Sequence, residues 1–332
     1  ACLKRVDVKG LSPLQIREQV DFSTPCILTG ALKLGTCETW CDTLLEGLGD
    51  SEVDYQIRRN DNGRSELFRS TLADFIHDLE ESNHDQSWYL LEENLLDNPR
   101  VRPALEPPLR ELQRLLGWDE FDLFPCAVRP QKSCLIVGGL GARSFLHGDP
   151  MEWIGWNVLL EGRKLWTFLP PSPELDAPLG TYRLAPNAFG AHNISAGWQS
   201  DLDLYRRGKH TARGRESVSW SPSAPEAQDL MGLATGGVQG PGDVVIIPPR
   251  HWHQVYHLEP SVAVASQYMD HNVRRGVFRH ILDWCGAAEG ALPAEFDKLT
   301  PAQQVQHVLK AAFVAQLGQK KGLEALATLE PP

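Results

Sequence analysis

From about Ser133 the chain breaks into short apolar or alternating runs: "SCLIVGGLG", "WIGWNVLLEG", "RKLWTFLPP", "DVVIIPP", "HQVYHL" and "SVAVASQYM". Gly and Pro stand between them. Runs this short do not reach ordinary helix length, and their punctuation supplies the turns that an antiparallel sheet needs. The pattern predicts an antiparallel sandwich or barrel.

The flanks have a different texture. "PLQIREQV" and "CETWCDTLLEGL" carry apolar residues at helical spacing, and "PCILTGAL" between them reads as a strand. "RSTLADFIHDLEES" puts Leu72, Phe75, Ile76 and Leu79 on one helical face, "SWYLLEENL" reads as strand, and "PPLRELQRLLGW" as a helix opened by Pro and closed by Gly. After Asp270 two helices are expected, "VRRGVFRHILDW" and "LTPAQQVQHVLKAAFVAQLG". The second has Thr300 as N-cap, Pro301 at its first position, Gln303 closing a capping box, and an apolar stripe of Val305, Leu309, Ala312 and Phe313. The expected organisation is an α/β segment over 1–132 that adds strands to the core, a core over 133–270 with a long irregular connection at 172–239, and a helical region over 271–332.

Composition narrows the function classes. No run of eighteen apolar residues occurs, so no membrane-spanning helix and no membrane partner are expected. A net charge of -11 disfavours non-specific nucleic-acid binding, with "YRRGKHTARGR" at 205–215 as the local exception. Seven cysteines, an odd count without dense spacing, suggest no disulfide framework and a reducing compartment, cytoplasm or nucleus. The "GGLG" at 138–141 lacks the third glycine of a dinucleotide fingerprint, and no P-loop is present.

The chemistry concentrates in "SFLHGDPMEWIGWNVLLEGRKLWTFLPP". On a strand, residues two apart share a face, so His147 and Asp149 can reach one metal ion. A third ligand is available about a hundred residues on, in "PGDVVIIPPRHWHQVYH", which holds His251, His253 and His257. Two His and a carboxylate on one face of an octahedron leave positions open and suit non-haem Fe(II). Three His from the second segment would instead suit zinc, and each His taken alone also fits a packed strand histidine. Lys164 stands alone in an apolar strand: it either points to solvent or answers an acidic ligand, and a dicarboxylate chelating the metal at one end would supply that acid at the other.

Taken together, "HGD", "GRKLWTFLPP" and "PGDVVIIPPRHWHQV", in that order, resemble the JmjC-type Fe(II)/2-oxoglutarate oxygenases, and the asparagine in "WN" resembles their hydroxylase branch. The resemblance is strongest over 140–270 and looser over 20–135. It implies a mainly β fold, a double-stranded β-helix (cupin-like jelly roll) core with flanking helices and a C-terminal helical region. It also implies Fe(II) held by His147, Asp149 and His253, where His251 departs from the family by replacing the first Trp of its P-x-x-W-W-H segment. Lys164, Ser144 and Asn157 then contact 2-oxoglutarate. The implied activity is hydroxylation of a protein side chain, with O2 and 2-oxoglutarate converted to succinate and CO2. The alternatives are oxidation of an RNA base or small molecule, N-methyl demethylation, and a metal-binding interaction module without activity. The resemblance offers the C-terminal helices as a homodimer interface, and the stripe from Val305 to Phe313 equally suits a helix packed in the chain's own core.

Overall fold

A computed structural model describes residues 1–32, 40–59, 65–81, 86–93, 95–130, 133–171, 233–288 and 290–329. Thirteen strands form two sheets among these residues. In chain order they are β1 (Lys4–Asp7), β2 (Cys26–Thr29), β3 (Glu52–Arg59), β4 (Ser65–Thr71), β5 (Gln86–Glu92), β6 (Cys134–Gly138) and β7 (Arg143–His147). Then follow β8 (Ile154–Glu161), β9 (Lys164–Leu169), β10 (Thr235–Gln239), β11 (Val244–Ile247), β12 (Trp252–His257) and β13 (Ser261–Tyr268). The large sheet runs β1-β2-β11-β8-β13-β6-β5-β3-β4, and the small one β10-β9-β12-β7. Apart from the parallel pair β1–β2, the neighbours are antiparallel. This is the jelly-roll arrangement of a mainly β chain with flanking helices.

Alternation along the strands assigns the two faces of the large sheet. Trp156, Val158 and Leu160 of β8, with Val244 and Ile246 of β11, enter the main core. They meet there the apolar faces of α1 (Pro13–Gln19), α2 (Trp40–Leu48), α3 (Leu72–Glu81) and α4 (Arg102–Leu116). The intervening residues, Val245 and Ile247, pack instead against Trp166 and Phe168 of β9 and Val255 of β12. That second cluster is the filling between the two sheets. Since Val245 pairs with Asn157 and Ile247 with Gly155, those two β8 residues share the inner face.

Several local expectations need correction. Helix α4 opens at Arg102, with Pro103 in its first turn, and Pro107 and Pro108 lie inside it. The helix holds although these prolines donate no N–H, because Leu105, Leu112, Leu115 and Leu116 anchor it in the core. The stretch at 69–82 divides: β4 continues through Thr71, whose Oγ1 accepts from the Asp74 amide, and α3 starts at Leu72. The connection at 172–239 ends sooner than expected, since Thr235–Gln239 form β10. Two glycines, Gly236 and Gly237, hid that strand, and a side chain on Gly237 would run into Leu3 and Ile27. The rest of the connection that falls in 172–232, with the basic stretch at 205–215, lies outside the described residues, as does Cys37.

The C-terminal helices are α5 (Arg274–Cys285), α6 (Pro301–Leu317) and α7 (Gln319–Ala327). Thr300 and Gln303 form the reciprocal capping box at the start of α6. Val305, Val308 and Leu309 are buried in the chain's own second core, with Phe278 of α5 and Phe121. Of the two readings of this stripe, dimer interface or internal core helix, its residues serve largely the second. Leu317 and Leu323 remain exposed. No described helix is long and apolar enough to cross a membrane.

Candidate metal centre

His147 is the last residue of β7, and His253 stands directly opposite it on β12. Opposed residues of an antiparallel pair share a face, and the two imidazole centroids are 4.1 Å apart. Asp149 is not on a strand. It follows β7 with extended φ and ψ of -64° and 146°, ahead of Pro150. From there its Oδ1 lies 3.8 Å from His147 Nε2 and 3.7 Å from His253 Nε2. Among the described residues, His147, Asp149 and His253 are the group of three metal-ligating side chains whose donor atoms all lie within 4.8 Å of one another. Ligands about 2.1 Å from a shared ion stand roughly 3 Å apart when adjacent, so little closure is needed to hold one.

The surroundings prepare these donors. His253 Nδ1 is 3.2 Å from the His251 carbonyl, which can only accept. That bond fixes the proton on Nδ1 and turns a bare Nε2 lone pair toward Asp149. Burial, and then the charge of His147, push the His253 pKa down to about 4, so its imidazole is neutral at neutral pH. The rings of Phe168 and Trp166 flank it at 5.7 and 6.0 Å. Gly155 makes room for the carboxylate: a Cβ there would stand 2.7 Å from Asp149 Oδ2 and 3.1 Å from Ile247 Cβ.

The other expected residues lie along the same inner face. On β9, Lys164, Trp166 and Phe168 alternate inward, and they pair in register with His257, Val255 and His253 of β12. Four residues along a strand span about 13 Å, so Lys164 lies deeper in the fold than the three donors. It is 1% exposed, and among the described residues it forms no ion pair. Burial lowers its pKa to about 7. Its titratable neighbours bring no compensating charge. The Cys134 thiol is pushed up to about 12 by burial, and the buried His257 is pushed well below its ordinary value by desolvation and by Lys164 itself. His257 Nδ1 is 2.6 Å from Ser261 Oγ, at the far end of β12 from Asp149. A site made of His251, His253 and His257 is thus not assembled: His257 sits beside Lys164, and His251 Nδ1 faces the Pro249 carbonyl at 3.2 Å.

Ser144 and His147 are three apart and would face opposite ways on a regular strand. A register shift rescues them: His147 pairs with His253 but Ser144 pairs with Val255, so β7 carries one extra residue. Both therefore face inward, and Ser144 is buried. Asn157 is 2% exposed, and its Oδ1 has no hydrogen-bond partner. An orphaned amide oxygen in such a place is costly unless a ligand answers it. The Asn157 backbone is braced by Gln239, whose Nε2 donates to its carbonyl at 2.9 Å while Gln239 Oε1 accepts from Trp166 Nε1 at 2.7 Å. Trp156 turns into the main core and Trp153 packs on Phe121, so neither reads as a pocket wall. Sequence reasoning passed over Gly155, Gln239 and Ser261, and it offered His257 as a metal ligand rather than as the neighbour of Lys164. A glycine inside the strand "WIGWNVLL" was the available signal for the first of these.

A jelly roll with an inward His-Asp-His cluster and a buried lysine is the arrangement of a metal-binding cupin-like fold. A sequence profile of the cupin-like domain family matches residues 12–273, and the chain belongs to this family, in its JmjC-like group. It is 24% identical, over 80% of its length, to the bifunctional arginine demethylase and lysyl-hydroxylase psr-1 of Caenorhabditis elegans. It is 25% identical, over 79% of its length, to the lysine-specific demethylase JMJ21 of Arabidopsis thaliana. Over 40% of its length it is 23% identical to the 2-oxoglutarate and iron-dependent oxygenase JMJD4 of Mus musculus. The chain spans 61% of the nematode protein and 25% of each of the other two.

Proposed function

We propose that this chain is an Fe(II)- and 2-oxoglutarate-dependent dioxygenase that hydroxylates a side chain of a protein substrate. The observation that carries this reading is the register of β7, β9 and β12. It brings His147 and His253 together at one end of an inner face, beside Asp149 in the turn after β7, and sets farther along the same face a buried lysine that pairs with no acid among the described residues. In this reading His147, Asp149 and His253 hold the iron. Lys164 and Ser144 bind the remote carboxylate of the cosubstrate, and Asn157 donates to it after rotation of its amide. The donor chemistry fits: two imidazoles and one carboxylate suit a divalent iron, and a fully buried ammonium suits a dicarboxylate. Bound iron and 2-oxoglutarate supply the oxidising power from O2, with succinate and CO2 as products. The chain's own work is to orient both ends of the cosubstrate, to shield the site with Trp166 and Phe168, and to keep His253 deprotonated on Nε2.

Two of the relatives, the nematode arginine demethylase and lysyl-hydroxylase and the Arabidopsis lysine-specific demethylase, are named for action on amino-acid side chains, which supports a protein substrate. Demethylation of an N-methyl group is the same oxidation placed on a methyl carbon, so this site serves either outcome, and the substrate decides. The test is succinate formation by the chain incubated with Fe(II), ascorbate, O2 and 2-oxoglutarate. The wild type is expected to form succinate in excess over a His147→Ala, Asp149→Ala double variant, and addition of the substrate peptide should raise the rate. Equal, background succinate together with no binding of 2-oxoglutarate would replace this reading by a metal-binding interaction module.

The inner-face glycine gives a sharper expectation. Gly155→Ala places a methyl group 2.7 Å from the Asp149 carboxylate and 3.1 Å from Ile247, both too close. Asp149 must then leave its position between the two imidazoles. Mn(II) affinity is expected to fall roughly tenfold to a hundredfold, the range for disturbing a ligand's support. A binding titration checks it, and wild-type affinity in the variant would show that the carboxylate is not held against this strand.

A further inference from the structure

The turn that carries Asp149 is held by a part of the chain beyond the family match, which ends at residue 273. Met151 and Glu152, consecutive non-glycine residues, have φ of 65° and 50°. Residues with a Cβ occupy this left-handed region sparsely and stay there only where the surroundings impose it. Helix α5 imposes it twice. Met151 is buried in the cluster that includes Val277 and Phe278 of α5. Glu152 Oε2 accepts from Arg279 Nη2 at 3.0 Å, and its side chain lies across Gly276. A Cβ on Gly276 would stand 2.5 Å from Glu152 Oε2 and 3.3 Å from Glu152 Cβ. Glycine weakens a helix interior, and no turn or cap calls for one at the third residue of α5. The close approach of Glu152 accounts for it.

We propose that α5 is a positioning element for the metal centre. Its Gly276 notch and Arg279 seat Glu152 and, through the strained turn, fix the Asp149 carboxylate between His147 and His253. Glu152, Gly276 and Arg279 are positioning residues, since none of them is among the three donors. The inference rests on the reading of His147, Asp149 and His253 as a metal site. It gives the C-terminal helical region a part in the chemistry although no residue of that region is a donor.

The experiment is a Mn(II) titration of the full chain, paired with thermal denaturation in metal-free buffer. Gly276→Ala and Arg279→Ala are expected to weaken Mn(II) binding about tenfold, and Arg279→Lys to restore most of the loss. Arg275→Ala, which removes an exposed arginine of the same helix from its pair with Asp297 outside that helix, should bind as the wild type does. If Gly276→Ala fails to fold, the Arg279 pair of variants carries the test. A clamp that only stabilises the fold lowers the melting temperature of the variants and leaves their Mn(II) affinity at the wild-type value, which overturns the proposal. Absence of Mn(II) binding in the wild type overturns the metal-site reading and this inference with it. The two failures are thus told apart by which protein shows them.

Discussion

Lys164→Met is expected to destroy 2-oxoglutarate binding and to make the ligand-free chain more stable. Both effects follow from one placement. The ammonium is 1% exposed and, among the described residues, faces no acid. Leaving one member of a buried ion pair without its partner costs about 3–5 kcal/mol, or roughly 10²–10⁴-fold in affinity. The thioether cannot answer the remote carboxylate, so cosubstrate affinity should fall by about that factor or more. Without ligand the logic reverses, because the wild type carries a buried cation that Met does not. Replacing buried charge by an apolar side chain of similar volume typically gains about 1–4 kcal/mol.

The pH dependence has a definite sign. Burial holds the Lys164 pKa near 7 in the free chain, against about 10.4 when unfolded. A lysine displaced downward opposes folding most fully below its folded value, and the opposition disappears as pH rises to its unfolded value. The stability gain of Lys164→Met is therefore largest below pH 7 and shrinks toward pH 10. Cosubstrate affinity in the wild type should be flat in this group below pH 7. Above it, binding must take up a proton, and affinity should weaken by up to about tenfold per pH unit. Neither neighbour cancels this, since both the Cys134 thiol and His257 are neutral near pH 7. Calorimetric titration with 2-oxoglutarate in the presence of Mn(II), and chemical denaturation of the free chain, read the two halves. Unchanged cosubstrate affinity, or a variant less stable than wild type at pH 6, would remove Lys164 from its proposed role.

The short runs after Ser133 announced an antiparallel sandwich or barrel because Gly and Pro bound segments too short for ordinary helices, and the jelly roll followed from the family resemblance. His147, Asp149 and His253 were legible through their motifs, and Lys164 through its isolation among apolar neighbours. What sequence could not display is register. Ser144 and His147 share a face only because β7 holds one extra residue against β12, and local periodicity argues the opposite. Strand β10 was hidden for a related reason: Gly236 and Gly237 are there to admit neighbouring chain, and glycine lowers strand propensity while doing so. The brace of Gln239 on Asn157 joins residues 82 apart in sequence. The Gly276 notch looks, in sequence, like a flaw in a helix.

Asp149→Asn tests the centre with the least disturbance to its walls. The amide has nearly the volume of the carboxylate, so it fits the space that Gly155 leaves, and folding stability should change by no more than about 0.5–1 kcal/mol. Electrostatically the two differ greatly. His253 is neutral on its donor nitrogen, so Asp149 brings the negative charge that a divalent cation finds in this ligand set. Disturbing a residue that merely supports a ligand costs about 10–100-fold in metal affinity, so replacing the anionic ligand itself should cost more than about a hundredfold for Mn(II). Succinate formation should disappear with it. The same variant separates the centre from a site built on histidines alone, for which loss of Asp149 would be nearly silent. The structure already opposes that site, because His257 is turned to Ser261 and Lys164. A well-folded Asp149→Asn protein that still bound Mn(II) with wild-type affinity would mean that the ion sits elsewhere. The pairing of His147 with His253 across β7 and β12 would then have to be explained by packing alone.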